Sequence, residues 1–165
     1  MSSTFDDEEK EEEVTPEALL ERLKKAMSSD DSSDDFFDLF KLVGDLSDLM
    51  LRIINKSRAK ADVKAQATQY VGQLSSKLYT LLKAYKTVLR HDLAYKDELH
   101  DEIENDLKKV IEVYAYLKKG GTLENAIGMI SDVQLSAQSR VKKFLYYLAD
   151  KIWRLSRPDP WSYHI

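Results

Sequence analysis

Residues 36–53 read FFDLFKLVGDLSDLMLRI, and the spacing of their apolar positions decides the fold. Phe36, Leu39, Val43, Leu46, Met50 and Ile53 follow one another in steps of three and four. Such steps gather side chains on one stripe of an α-helix, because successive residues turn by about 100°. A half-buried strand would alternate apolar and polar residues instead, and no stretch of this chain sustains that alternation.

The same pattern recurs downstream in Ala67, Val71, Leu74, Leu78, Leu81, Tyr85 and Val88. The two stripes are in phase, with Ser57, Lys60 and Lys64 at the intervening positions. Two lysines on a buried seam would be costly, so the spacing predicts a turn near residues 57–63. The alternative is one continuous helix from about 36 to 90 packed on a second subunit. Residues 91–96 read as a connection. A third long helix carries Leu99, Ile103, Leu107, Val110, Tyr114 and Leu117 and stops at Gly120-Gly121. Thr122 can cap a short helix through Leu123, Ile127, Ile130 and Val133. A last long helix, from about Ser136 to Ser156, places Val141, Leu145, Leu148, Ile152 and Leu155 on one face before Pro158 and Pro160 end it.

Upstream, Thr15-Pro16-Glu17 is a helix start: a capping hydroxyl, a proline at the first turn and a carboxylate at the positive end of the dipole. Leu19, Leu20 and Leu23 form a short stripe reaching about Met27, and Ser28–Asp35 is a polar linker. The expected class is therefore all-α, an up-and-down bundle of about four long helices plus a short helix. The bundle proper spans 36–157. Residues 1–35 are expected to be a disordered acidic extension with a short helix at about 15–27, and 158–165 a tail.

Composition narrows the function. The 165 residues suffice for one domain with a real core. Cysteine is absent, which excludes disulfides and thiolate metal sites. No apolar run approaches the roughly 20 residues of a membrane span. The opening Met1-Ser-Ser-Thr-Phe-Asp-Asp lacks the basic and apolar regions of a secretion signal, so the expected compartment is cytoplasm, or nucleus in a eukaryote. Charge is unevenly spread. Residues 1–40 hold 14 Asp/Glu against 4 Lys/Arg, whereas residues 41–165 hold 21 Lys/Arg against 15 Asp/Glu. An acidic arm on a mildly basic body can serve as an intramolecular electrostatic mask that competes with anionic ligands, or simply aid solubility.

Signals for catalysis are weak. The histidines are His91, His100 and His164. Asp97 and His100 share a helical face, but a di-metal carboxylate bundle needs paired Glu-x-x-His motifs, and the second is missing. The acidic cluster from Asp97 to Asp106 lies in the first half of a helix whose second half carries Lys108, Lys109, Lys118 and Lys119, as the macrodipole favours. Glu104 stands four before Lys108, a supporting pair. Gly44, Gly72 and Gly128 each sit inside a helical pattern and read as points of close helix approach. There is no phosphate loop and no nucleophile elbow. The expectation is a non-enzyme without metal or cofactor.

Two basic faces and a set of aromatics are the candidate contacts. Arg140, Lys143, Tyr147, Lys151 and Arg154 line one side of the last helix, about 120° from its apolar stripe, so they can point outward. Arg52, Lys56, Arg58, Lys60 and Lys64 form a second cluster. Either suits a phosphate backbone or an acidic protein. Phe36, Phe37, Phe40, Trp161 and Tyr163 are candidate partner-docking residues. The segment Gln138-Ser-Arg-Val141-Lys-Lys-Phe144-Leu145 resembles the peptide by which replication proteins dock on sliding clamps. It departs from that pattern at Leu145, where a second aromatic is usual, and it lies in a helix that needs Val141 and Leu145 for packing. The leading expectation is a helical adaptor or assembly subunit working through protein–protein contacts, as a homo-oligomer or with a partner. The alternative is a nucleic-acid-associated protein whose acidic arm modulates access.

Overall fold

A computed structural model describes residues 14–28, 33–91 and 96–156 of the chain. The described residues form five helices and no strand: α1 (Pro16–Ser28), α2 (Ser33–Lys56), α3 (Ala61–His91), α4 (Lys96–Lys118) and α5 (Leu123–Ser156). The all-α reading holds. None of these helices is long and apolar enough to cross a membrane.

The caps follow from local chemistry. The Thr15 hydroxyl accepts the Ala18 N–H at 3.1 Å and starts α1. The Thr122 hydroxyl accepts the Asn125 N–H at 3.3 Å and starts α5. At the end of α4, Gly120 adopts φ +92°. The Gly121 N–H returns to the Tyr116 carbonyl and the Gly120 N–H to that of Leu117, the two bonds of a Schellman motif.

The turn expected near 57–63 occupies residues 57–60. The Ser57 hydroxyl accepts the Ala59 N–H at 3.0 Å, and Lys64 Nζ reaches across to the Asn55 carbonyl at 3.1 Å. Residues 36–90 therefore fold back as a hairpin, and the single long helix is excluded. Cross-contacts pair high numbers on α3 with low numbers on α2. Tyr79 stacks on Phe40 at 5.7 Å, the Ser75 hydroxyl meets that of Ser47, and Tyr79 Oη lies 3.2 Å from where a Cβ on Gly44 would stand. Gly44 is thus a place of close approach. Gly72 and Gly128 are not, since nothing lies within 4 Å of a Cβ added at either.

One expectation fails outright. The short helix over 123–133 and the last helix are a single element of 34 residues. Gln134-Leu135-Ser136 contains no breaker, and Ala126, Ile130, Val133, Ala137, Val141 and Phe144 make one unbroken buried seam through it. The seam also chooses Phe144 over the expected Leu145, which is 55% exposed.

Helix α4 packs against all four other helices. It therefore buries residues on several sides, Ile103, Leu107, Val110, Ile111 and Val113 among them. α1 also joins the core. Leu19, Leu23, Ala26 and Met27 are buried, and it contacts α2 and α4. Arg22 pairs with Asp45 at 3.0 Å, and His100 Nε2 meets the Met27 carbonyl at 2.7 Å. The sequence grouped this helix with the acidic arm, but its leucine stripe belongs to the bundle.

Candidate functional site

The first predicted basic face is partly turned toward α4. Arg140 Nη1 donates to Asp106 Oδ1, and its Nε lies 3.8 Å from Glu102 Oε1. Lys143 Nζ pairs with Glu98 Oε1 and lies 4.0 Å from Glu102 Oε1. Glu98, Glu102 and Asp106 stand one turn apart on α4, so they form an acidic row that the basic row of α5 meets in antiparallel order. This corrects the outward-face expectation at Arg140, whereas Lys143 stays 54% exposed beside its partners. A residue 120° from one seam can still face a second neighbour when a helix sits between two others, and α5 contacts both α3 and α4. Tyr147 is half-buried with its ring tilted against Phe144 at 6.4 Å. The side chains of Lys151 and Arg154 lie outside the described ones.

One end of the row is buried and the other, Lys143 with Glu98, is exposed. Asp106 is 0% exposed and Arg140 19%. Among the described residues, Asp106 Oδ2 and Glu102 Oε2 are buried without a hydrogen-bond partner. Burial pushes the Glu102 carboxyl above its ordinary range, against the pull of Lys143 and Arg140 and with some help from Glu98. The acidic half of α4 therefore does more than complement a dipole, although the expected Glu104–Lys108 pair is present at 3.1 Å.

The second basic cluster surrounds the α2–α3 turn. Arg52, Lys56, Arg58 and Lys60 are exposed, and Lys64 is half-buried. Arg52 and Lys56 also line a cleft of about 760 Å³ at the end of the bundle where α2 and α4 stop and α5 begins. Lys118 adds a third cation, over a floor that includes Leu49, Ile53 and Leu117. Two of the three cations occupy last turns, where they complement the macrodipoles of α2 and α4. Sequence reasoning missed the cleft because Lys118 lies more than fifty residues from Lys56 and reaches it only through the fold.

Tyr114 stands at the cleft wall, its hydroxyl pushed to a raised pKa by burial. It donates to the Val14 carbonyl at 2.6 Å, and Lys118 Nζ donates to the same oxygen at 2.5 Å. Beside it, the Tyr116 hydroxyl accepts from the Thr122 N–H and from Asn125 Nδ2 at 3.0 Å, which lowers its pKa. The Tyr116 ring lies directly over Gly121, in space that a Cβ there would need.

The docking aromatics divide. Phe37 is 69% exposed, whereas Phe40 is half-buried under Tyr79, so it is a packing residue. The Phe36 side chain and residues Trp161 and Tyr163 lie outside the described ones. In the stretch resembling a clamp-docking peptide, Val141 and Phe144 are buried, so its apolar anchors are spent on the core. His100, Asp101 and Glu104 bring donor atoms within 4.8 Å of one another. His100 is held through Nε2 by Met27 and Glu104 by Lys108.

A different apolar set is displayed on α5. Leu135 is 62% exposed and Tyr146 68%, and Leu145, next to Tyr146 in the chain, is 55% exposed. Eleven residues bring a helix back to nearly the same side, so Leu135 and Tyr146 share a stripe. It lies opposite the seam of Val133, Ala137 and Phe144. No protein-family model matches the chain, and neither a curated protein nor a solved structure does.

Proposed function

We propose that the chain is a non-catalytic helical adaptor or assembly subunit that works through protein–protein contact, with the outer stripe of α5 as its contact surface. The observation that carries this is the exposure of Leu135 and Tyr146 on the side of α5 turned away from the core, with the exposed Leu145 on its flank next to Tyr146. Large apolar side chains displayed on an outer helix face, here set about 16 Å apart along the axis, are a mark of contact surfaces. In support, the charged groups that converge on α4 and α5 are spent on holding the two helices together. The test is sedimentation velocity over a micromolar range on the wild type and on Leu135→Glu/Tyr146→Glu, with circular dichroism as a check on folding. Self-association in the wild type that the variant abolishes supports the reading. A monomer in both, with no partner whose binding is sensitive to the same pair, refutes it.

A second reading, a nucleic-acid-associated protein, draws on the exposed Arg52, Lys56, Arg58 and Lys60 around one turn. It predicts low-salt binding of DNA or RNA that weakens steeply with added salt. The discriminating variant is Arg58→Glu/Lys60→Glu, which reverses two exposed cations at once. Undiminished binding by that variant rules this surface out.

A further inference from the structure

The cleft at the end of the bundle is mixed in character. Leu49, Ile53 and Leu117 give it an apolar floor, and Arg52, Lys56 and Lys118 ring it with positive charge. No carboxylate is among its described lining residues. A ligand suited to it carries several negative charges and at least one apolar group.

The chain supplies such a ligand itself. Residues 1–13 contain seven carboxylates, Asp6, Asp7, Glu8, Glu9 and Glu11–Glu13, against the single Lys10. Beyond Met1, Phe5 is their sole large apolar side chain. The first described residue after them, Val14, is fastened at the cleft wall, because its carbonyl accepts from both Tyr114 and Lys118. Both donors line the cleft. The acidic segment is therefore tethered where its complement lies.

We propose that residues 5–13 dock in this cleft as an intramolecular acidic ligand, with their carboxylates toward Arg52, Lys56 and Lys118. Tethering gives such a segment an effective concentration on the order of millimolar. A contact too weak to hold a free peptide is then enough to keep the cleft occupied. The attraction is screened by salt, with a Debye length of about 10 Å at 0.1 M. An outside acidic peptide gains entry only by displacing the arm. This inference is independent of the α5 contact stripe.

The absence of native cysteine makes the test direct. Ser3→Cys gives one attachment point for a nitroxide, and amide signals of the isotope-labelled full chain report its distance. We expect strong broadening at Ser57, Gly120 and Gly121. Thr80 and Ser139, on the order of 25 Å or more away along their helices, should be severalfold less affected. Two variants must abolish the contrast. One replaces the seven carboxylates by Asn and Gln, leaving every bundle residue intact. The other is Arg52→Glu/Lys56→Glu/Lys118→Glu, checked for folding. Absent or uniform broadening, or broadening that survives neutralisation of the arm, overturns the proposal. So does broadening seen only when nitroxide and isotope are on different molecules, which would place a second copy's arm in the cleft.

Discussion

Replacing Arg140 by methionine is the most informative single perturbation of the bundle. Methionine keeps much of the apolar stem that packs α5 and removes the guanidinium. What remains is the Asp106 carboxylate, 0% exposed, with Glu102 one turn before it. Stripping one partner from a buried ion pair costs about 3–5 kcal/mol, because the other charge is left uncompensated. For a chain of this size each kcal/mol moves the melting temperature by about 2–4 °C, so a drop of roughly 6–20 °C follows. Asp106→Leu should cost less, since Arg140 is partly exposed and keeps Glu102 at 3.8 Å. The double variant should recover the loss and equal or exceed the wild type by about 1–4 kcal/mol, as apolar replacements of buried ion pairs do. One fact favours that outcome here: Asp106 Oδ2 lacks a hydrogen-bond partner among the described residues. Urea denaturation followed by circular dichroism measures all four corners of the cycle. Acidification supplies an internal control. The stranded carboxylate of Arg140→Met favours its protonated form, so that variant should regain stability relative to wild type as pH falls. A loss below about 1 kcal/mol, the value of a solvent-exposed pair, refutes the reasoning.

Glu102→Gln should stabilise the fold at neutral pH. The folded-state pKa of Glu102 is raised by burial, so its favourable contribution is full below the unfolded pKa and is lost as pH rises through the folded one. The advantage of the variant should therefore shrink as pH falls through the raised folded-state pKa and be gone once pH is below the ordinary carboxyl range, which denaturation at a series of pH values will show. Gly72→Ala and Gly128→Ala should each stabilise by about 0.5–1 kcal/mol, since both lie inside helices with open space where a Cβ would go. A loss in either by the same assay contradicts that space. Gly121→Ala should do the reverse, because the new methyl meets the Tyr116 ring. Tyr116 then leaves Thr122 and Asn125, and its pKa should rise toward that of an ordinary phenol in a ring-carbon NMR titration.

Much of this architecture is legible in spacing alone. Leu39, Val43, Leu46 and Met50 are buried as their period implies, and so are Ala67 through Tyr85 on α3 and Leu99 through Leu117 on α4. Lys60 and Lys64 on an otherwise apolar register place the hairpin turn, and Gly120-Gly121 places the end of α4. These features are local, and a helix carries them in its own period. What spacing could not give was non-local. Phe144 and Leu145 are adjacent and both large, and only the neighbouring helices decide which turns inward. Arg140 and Lys143 read as a solvent face because their partners lie 34 and 45 residues away, on a helix whose acids had a sufficient local explanation. The cleft depends on three chain segments meeting at one end, and no local pattern announces it.

The ion row also bears on how α5 finds its place. Its apolar seam repeats every three or four residues, so a shift by one turn would still bury aliphatic side chains against α4. The charges break that degeneracy. One turn before Arg140 and Lys143 stand Ser136 and Ser139, which would leave Glu98, Glu102 and Asp106 without cations. Register in turn fixes both candidate surfaces: the position of Leu123 at the cleft, and the part of α5 from Leu145 onward that runs past the first turn of α4. Buried ionic groups act this way in some proteins, setting alignment at a cost in stability. The Asp106→Leu/Arg140→Met chain separates the two effects. If the row sets register, that chain should be as stable as the wild type or more so and yet show doubled amide signals at Gly120 and Gly121, from helices docked one turn apart. A single sharp set of signals would mean that apolar shape alone aligns α5, and that the charges serve neither stability nor register.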